Sequence, residues 1–236
     1  MSGVTKKEAT MKGVIVTCLE SLVKEQFGQH PWEDILEEAG VERHTLFNMT
    51  SNIDGKVAVD IIHATCKILD LTLYQAADAF GDYWVNVYAP KVYSMYYRKA
   101  HSAKEMLLNM DKLHETVTAS IADAHPPRFD YEWKDENTLI MHYKSHRGLI
   151  DFFVGLIKGV GRYYNEDLRV AKQSETAVEI VFLGKSSPET SQETQQNTLQ
   201  QAGAAASRTS KEDEADKADK EEEKRGIVQK ILSFFR

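Results

Sequence analysis

Residues 104–118 read KEMLLNMDKLHETVT and residues 143–147 read YKSHR, and the fold turns on how these two stretches are read together. In the first, Met106, Leu107, Met110, Leu113, Val117 and Ile121 share one face at helical spacing, and His114 falls on that face with them. A histidine among apolar side chains needs a partner. One reading is a buried imidazole hydrogen-bonded to backbone. The other is a neutral imidazole offered from a helix to a metal, as a single His is to a haem iron. In the second stretch, Tyr143, Ser145 and Arg147 are two residues apart, so on a strand that reached Arg147 they would project together. Two hydroxyls and a planar guanidinium make a donor set suited to carboxylates, such as the two propionates of a haem. Taken alone, the same pattern also describes a solvated strand end.

Working outward, the chain before residue 104 reads as helical. Val14, Ile15, Cys18, Leu19, Leu22, Val23 and Phe27 recur with helical period from Met11 and stop at Gly28. Pro31 suits the first turn of a short helix through Trp32, Ile35 and Leu36, ending at Gly40. A polar loop containing Asn52 and Gly55 precedes helical patterns over residues 57–71 and 73–84. Residues 83–97 are dense in aromatics (Tyr83, Trp84, Tyr88, Tyr93, Tyr96, Tyr97), a cluster that either fills a core or floors a large flat ligand. After His125-Pro126-Pro127 the period changes to two. Phe129, Tyr131 and Trp133 alternate with charged residues, residues 138–145 read as the partner strand, a helix follows over 148–164, and Val178, Ile180 and Phe182 mark a last strand. Helices first and strands later, with one helix between them, predict an α+β fold: an N-terminal helical subdomain packed on a C-terminal subdomain with a small antiparallel sheet.

The 236 residues, 42% hydrophobic and 28% charged, describe a globular protein with room for one sizeable core. A net charge of −7 and a pI near 5.7 argue against a broad basic footprint for nucleic acid. Cys18 and Cys66 sit inside helical patterns without a CxxC, which points to a reducing compartment and excludes covalent haem attachment through CxxCH. No signal-peptide core and no bilayer-length apolar run is present, so the expected location is cytoplasmic. Four segments are expected: residues 1–10 as a disordered extension, 11–185 as the folded domain, 186–225 as a disordered charged linker, and 226–236 as a short basic amphipathic segment. In that last segment Ile227, Ile231, Leu232, Phe234 and Phe235 suit weak docking to a partner groove or a membrane surface.

His114 together with Tyr143, Ser145 and Arg147 resembles the hallmark of the haem nitric oxide/oxygen-binding (H-NOX) family, related to the haem domain of soluble guanylate cyclase. Met11-Lys12-Gly13-Val14-Ile15 looks like the start of that family, Asp111-Lys112-Leu113-His114 matches its proximal motif, and Pro126-Pro127-Arg128 falls where the family has a proline. The resemblance implies a haem b between the two subdomains. His114 would be its axial ligand, Tyr143, Ser145 and Arg147 would hold the propionates, Pro127 would press on the porphyrin, and Ile15, Leu19, Trp84, Phe152 and Leu156 would pack its faces. In oxygen-binding relatives a distal Tyr five positions after the motif Arg donates to O₂; here that position is Phe152. Losing such a charge-assisted hydrogen bond costs about 1.5–3 kcal/mol, more than tenfold in affinity, whereas NO depends on it little. The resemblance therefore implies a stand-alone sensor of nitric oxide, with CO as a further diatomic. It would not be an enzyme, and its signal would go to a separate protein such as a histidine kinase or a diguanylate cyclase.

Three other readings stay open at this level. An oxygen-binding haem protein would need a donor that Phe152 does not supply, although Tyr83 could enter from another helix. A peroxidase-type enzyme would need a distal His or Arg. A non-haem adaptor acting through its C-terminal tail would bind no chromophore. His63 with Cys66 lacks further metal ligands, and His142 and His146 would face away from Tyr143.

Overall fold

The computed structural model describes residues 10–119, 126–145 and 147–185. The expected extension at residues 1–9, Ile121, His125, His146, the linker and the C-terminal docking segment lie outside them. Strand β1 (Thr10–Lys12) runs into α1 (Gly13–Phe27), whose Val16, Cys18, Leu19, Leu22 and Val23 are buried. The helix stops at Gly28, where φ is +93° and the N–H donates to the Lys24 carbonyl. Helix α2 (Gln29–Glu38) buries Trp32, Ile35 and Leu36.

The expected polar loop is ordered further than the pattern indicates. Asn52–Asp54 forms β2, antiparallel to β1, and Gly55 opens α3 (Gly55–Ile68). The Asp54 carboxylate caps that helix by accepting from the N–H groups of Lys56 (2.7 Å) and Val57 (3.4 Å). Helix α4 (Leu73–Tyr83) begins with a Thr72–Gln75 capping box and passes into a π-helical turn, Trp84–Tyr88. Two short helices follow, α5 (Ala89–Val92) and α6 (Ser94–Tyr97).

The long helix expected around His114 is two helices, α7 (Ala103–Leu108) and α8 (Met110–Thr118). They part at Asn109, whose side-chain amide donates to the Glu105 carbonyl at 2.9 Å and so competes with the backbone ladder. Strands β3 (Arg128–Trp133) and β4 (Thr138–Lys144), helix α9 (Ile150–Tyr164) and strands β5 (Glu166–Ser174) and β6 (Ala177–Lys185) complete the order. The sheet runs β3-β4-β6-β5 with antiparallel neighbours throughout. The fold is thus α+β, with a four-stranded sheet and a two-stranded one.

Two hydrophobic cores result. One joins α1–α4 with Met11, Ile53 and Phe152; the other joins α7, α9 and the sheet through residues such as Leu107, Phe129, Leu139, Tyr143, Phe153, Ile157 and Ile180. Helix α9 contributes to both, Phe152 to the first and Phe153 to the second. It crosses α4 so closely that a Cβ on Gly81 would lie 2.1 Å from the Gly155 carbonyl carbon, and one on Gly155 would lie 2.1 Å from the Ala77 carbonyl oxygen. Only glycine permits that approach.

Candidate functional site

A cavity of about 510 Å³ opens at the seam between the two cores. That volume falls within the range of about 300–1,000 Å³ usual for small-molecule and cofactor pockets. Ile15, Ile62, Phe80 and Phe152 line it from the helical core; Leu113, His114, Val117, Pro127, Phe129 and Tyr143 line it from the side of α8 and the sheet.

Helix α8 explains why the cavity calls for an occupant. None of its residues is fully buried, and Leu113, His114 and Val117, partly covered on its apolar side, line the cavity in place of packing into a protein core. The helix is held from behind. Arg128 donates to the Asp111 carboxylate through Nε (2.8 Å) and Nη2 (2.6 Å), the Phe129 N–H donates to Asp111 Oδ1 (2.9 Å), and the Asp111 N–H donates to the Tyr131 hydroxyl (3.1 Å). The Arg128 fork keeps the Asp111 carboxyl below its ordinary pKa.

Burial pushes the His114 pKa down from 6.5 to about 4, against the opposing charge of Asp111. The ring is therefore neutral at neutral pH, the form that ligates a metal. Its Nδ1 is sealed in protein and, among the described residues, has no hydrogen-bond partner. Nε2 is left as the nitrogen that can reach a ligand in the cavity.

Of the three residues of the second stretch, Tyr143 and Arg147 reach the cavity wall, but not by strand alternation. Strand β4 ends at Lys144. Tyr143 is buried and on the cavity wall; Ser145 follows the strand and is off the wall, its hydroxyl accepting the Arg147 N–H at 3.3 Å. Arg147 reaches the wall from a turn just before Gly148 (φ +64°), and its Nη2 donates to the Thr10 carbonyl at 2.6 Å. Burial raises the Tyr143 pKa, while the Ser145 hydroxyl and the Arg147 guanidinium pull it back. Lys12, Thr50 and Asn52 add polar groups to the wall. The cavity thus has an apolar body and a donor-rich, cationic edge, the division of a porphyrin with its propionates. These residues fit a haem.

Of the other residues singled out from sequence, Pro127, Ile15, Trp84, Phe152 and Leu156 line the cavity. Leu19 does not. It lines a separate apolar cavity of about 40 Å³ that shares only Ile62 and Phe152 with the larger one, because the buried face of α1 is broad enough to border both. The aromatic cluster divides: Trp84, Tyr93, Tyr96 and Tyr97 are on the wall, Tyr83 is buried in the helical core, and the Tyr88 hydroxyl meets Thr17 Oγ1 at 2.8 Å. His142 pairs with Glu132 (3.1 Å) away from the cavity, and His63 is exposed. No group of three or more potential metal ligands occurs among the described residues. Phe129, Phe80 and Ile62 are not indicated by the motif. Phe129 is visible in the sequence only as one member of an alternating strand.

An α+β domain with a neutral histidine on the wall of a cavity of about 510 Å³ suits a cofactor-binding class, and comparison with known proteins identifies it. The profile of the Haem-NO-binding family matches residues 12–172, and the chain belongs to that family. It is similar to two soluble guanylate cyclases of Caenorhabditis elegans. Identity is 26% over 174 residues to gcy-32 (70% of this chain, 25% of that protein) and 24% over 165 residues to gcy-37 (68% and 23%). The chain spans about a quarter of the length of those relatives. Among solved structures it resembles an H-NOX protein from S. oneidensis (TM-score 0.68, 17% identity, 75% of this chain and 98% of that one). It also resembles an unliganded Fe(II) H-NOX mutant from K. algicida (TM-score 0.66, 22% identity, 76% and 100%). The chain is accordingly a haem-based gas-sensing domain, and the part of the cyclases it matches is the haem domain rather than the catalytic one.

Proposed function

We propose that this chain senses nitric oxide through a ferrous haem b seated in the large cavity, with residues 11–185 as the sensing unit. The observation that carries the reading is His114: a neutral imidazole on an apolar cavity wall, with no protein hydrogen-bond partner among the described residues. Bound haem supplies a ferrous iron able to take a diatomic gas. The chain's own residues do the rest. His114 offers Nε2 as axial ligand. Tyr143 and Arg147 hold the propionates, with Ser145 positioning Arg147 through its backbone N–H. Pro127, Trp84 and Leu156 pack against the ring. Ile15, Ile62, Phe80 and Phe152 line the helical side without a hydrogen-bond donor. An apolar wall there favours NO over O₂, since bound O₂ is the polar ligand that needs a donor.

The output of this sensing unit is assigned, as part of the same proposal, to a separate protein. We assign that role to a histidine kinase or a diguanylate cyclase, with residues 226–236 as a further docking element. Among the described residues no helix is long and apolar enough to cross a membrane, and a cytoplasmic location fits the reducing compartment inferred from Cys18 and Cys66.

The test is the absorption spectrum of the reduced protein under argon, then air, then NO, with His114→Gly alongside. A five-coordinate ferrous spectrum that ignores air, responds to NO and is restored in the variant only by added imidazole is expected. A stable oxygenated spectrum in air would move the function to oxygen binding, with a hydroxyl of Tyr93, Tyr96 or Tyr97 on the wall as donor. No Soret band after haem addition would leave the adaptor reading.

A further inference from the structure

A histidine that binds a metal through one ring nitrogen is normally held in plane by a hydrogen bond from the other, to a carboxylate, a carbonyl or water. His114 lacks that arrangement. Its Nδ1 is buried with no partner among the described residues. The carboxylate one turn earlier on the same helix, Asp111, is occupied by Arg128 and by the Phe129 N–H.

What His114 does meet is a ring face. Its imidazole stacks on Phe129 with centroids 5.5 Å apart and planes 26° from parallel. Phe129 is held on two sides: its N–H donates to Asp111, and its ring stacks on Phe153 at 4.9 Å and 29°. Phe153 in turn stacks on Tyr143 at 5.4 Å and 17°. Phe129 and Tyr143 face one another across the β3–β4 pair, and all four rings line the cavity.

We propose that Phe129 is the positioning residue of the axial histidine: its ring face, in place of a hydrogen bond, sets the plane of the His114 imidazole, and the stacked series His114, Phe129, Phe153, Tyr143 ties that plane to the phenol at the cationic edge of the cavity. The inference rests on the reading of His114 as axial ligand. A hydrogen bond fixes direction, whereas a stacked face fixes only the plane and lets the ring slide within it. The imidazole can therefore draw back from the cavity by sliding over the Phe129 face without breaking a hydrogen bond. An aliphatic side chain at residue 129 would keep the core largely filled but remove the flat surface.

The test uses the haem-loaded ferrous protein and reads the iron–histidine stretching band by resonance Raman, which reports the plane and strength of that bond independently of any signalling output. Phe129→Leu and Phe129→Met should shift and broaden the band, because the ring then samples several orientations, while Phe129→Tyr, which keeps the face, should restore the parent band. A band in Phe129→Leu of the same position and width as the parent would overturn the inference. So would failure of both the Leu and Met variants to take up haem while the Tyr variant loads normally, since Phe129 would then be a packing residue and nothing more. If the parent protein shows no band that His114→Gly abolishes, the assignment of His114 itself fails, and this inference fails with it.

Discussion

The depressed pKa of His114 makes the haem-free protein acid-sensitive in a window that can be stated in advance. The folded-state value is about 4 and the ordinary value 6.5, with burial as the main cause. Between those two values the unfolded chain binds a proton at this position and the folded chain does not, so stability falls as pH falls. Above 6.5 neither state is protonated, and below about 4 both are, so the dependence is confined to the interval. At 1.36 kcal/mol per unit the full span is about 3 kcal/mol, a large share of the stability of a domain this size. The perturbation is His114→Leu, which keeps an apolar side chain and removes the titration. Urea unfolding of the haem-free parent and variant, followed across the interval, should show the parent losing about 3 kcal/mol relative to the variant on acidification. Parallel stability curves would refute the reasoning, because they would mean that the ring is hydrated, or partnered, in the folded protein.

Three further outcomes follow from the same geometry. Phe152→Tyr places a phenol on the helical wall of the cavity; O₂ affinity should rise tenfold or more, equivalent to about 1.5–3 kcal/mol, with NO binding little changed, and a spectrum in air indistinguishable from the parent would count against Phe152 as the selecting residue. Gly155→Ala drives a Cβ to 2.1 Å from the Ala77 carbonyl oxygen, a backbone atom that cannot step aside, so the urea midpoint should fall by the equivalent of about 3 kcal/mol despite the better helix propensity of alanine. Asp111→Ala removes the acceptor of Arg128 and of the Phe129 N–H; thermal denaturation should show a loss of about 2 kcal/mol, mostly from the part-buried N–H, since the Arg128 pair is largely solvated. A loss no greater than that of Arg128→Ala would show that the Phe129 N–H finds water instead.

The residues most legible in the sequence are those whose chemistry clashes with their surroundings. His114 is a polar ring on an apolar helical face, and Arg147 is a cation following a strand, so each calls for a partner by its chemistry and position in the pattern. Leu19 is misplaced by the sequence for the opposite reason: it has the same chemistry as Ile15 and lies four residues on, and helical period alone does not say which of two adjoining cavities a broad apolar face borders. Strands β1 and β2 have three residues each, too few to show an alternation, and their pairing depends on a partner about 40 residues away. Strand β5 escapes the pattern because it is an edge strand with solvent on much of its surface; only Leu168 and Val170 pack toward a core. Strand alternation is not what brings Tyr143 and Arg147 to the same cavity wall, and Ser145 is not on that wall. Alternation carries the chain only to Lys144, and the turn before Gly148 brings the guanidinium back to the cavity. Phe129 cannot be singled out at all, since an aromatic on the inner face of a strand looks the same whether it fills a core or supports a ligand.

The position of the cavity, more than its content, is what suits it to sensing. A ligand site inside one core can change only the packing of that core, whereas this one is walled on one side by the helical core and on the other by α8 and the sheet. Two of the contacts that bridge the seam bear on this. The glycine crossing of α4 and α9 is a backbone contact with no side chains to compress. The Arg147 contact to Thr10 links the donor-rich edge of the cavity to β1, which runs directly into α1 and its cavity-lining Ile15. Under the proposed reading, a displacement of His114 would be felt on the side of the wall that holds Phe129 and Tyr143, and one of Arg147 would be felt at Thr10. Gas binding can bias the arrangement of the two halves only by its different affinity for their alternative packings, and a haem seated as proposed above would contact the walls of both.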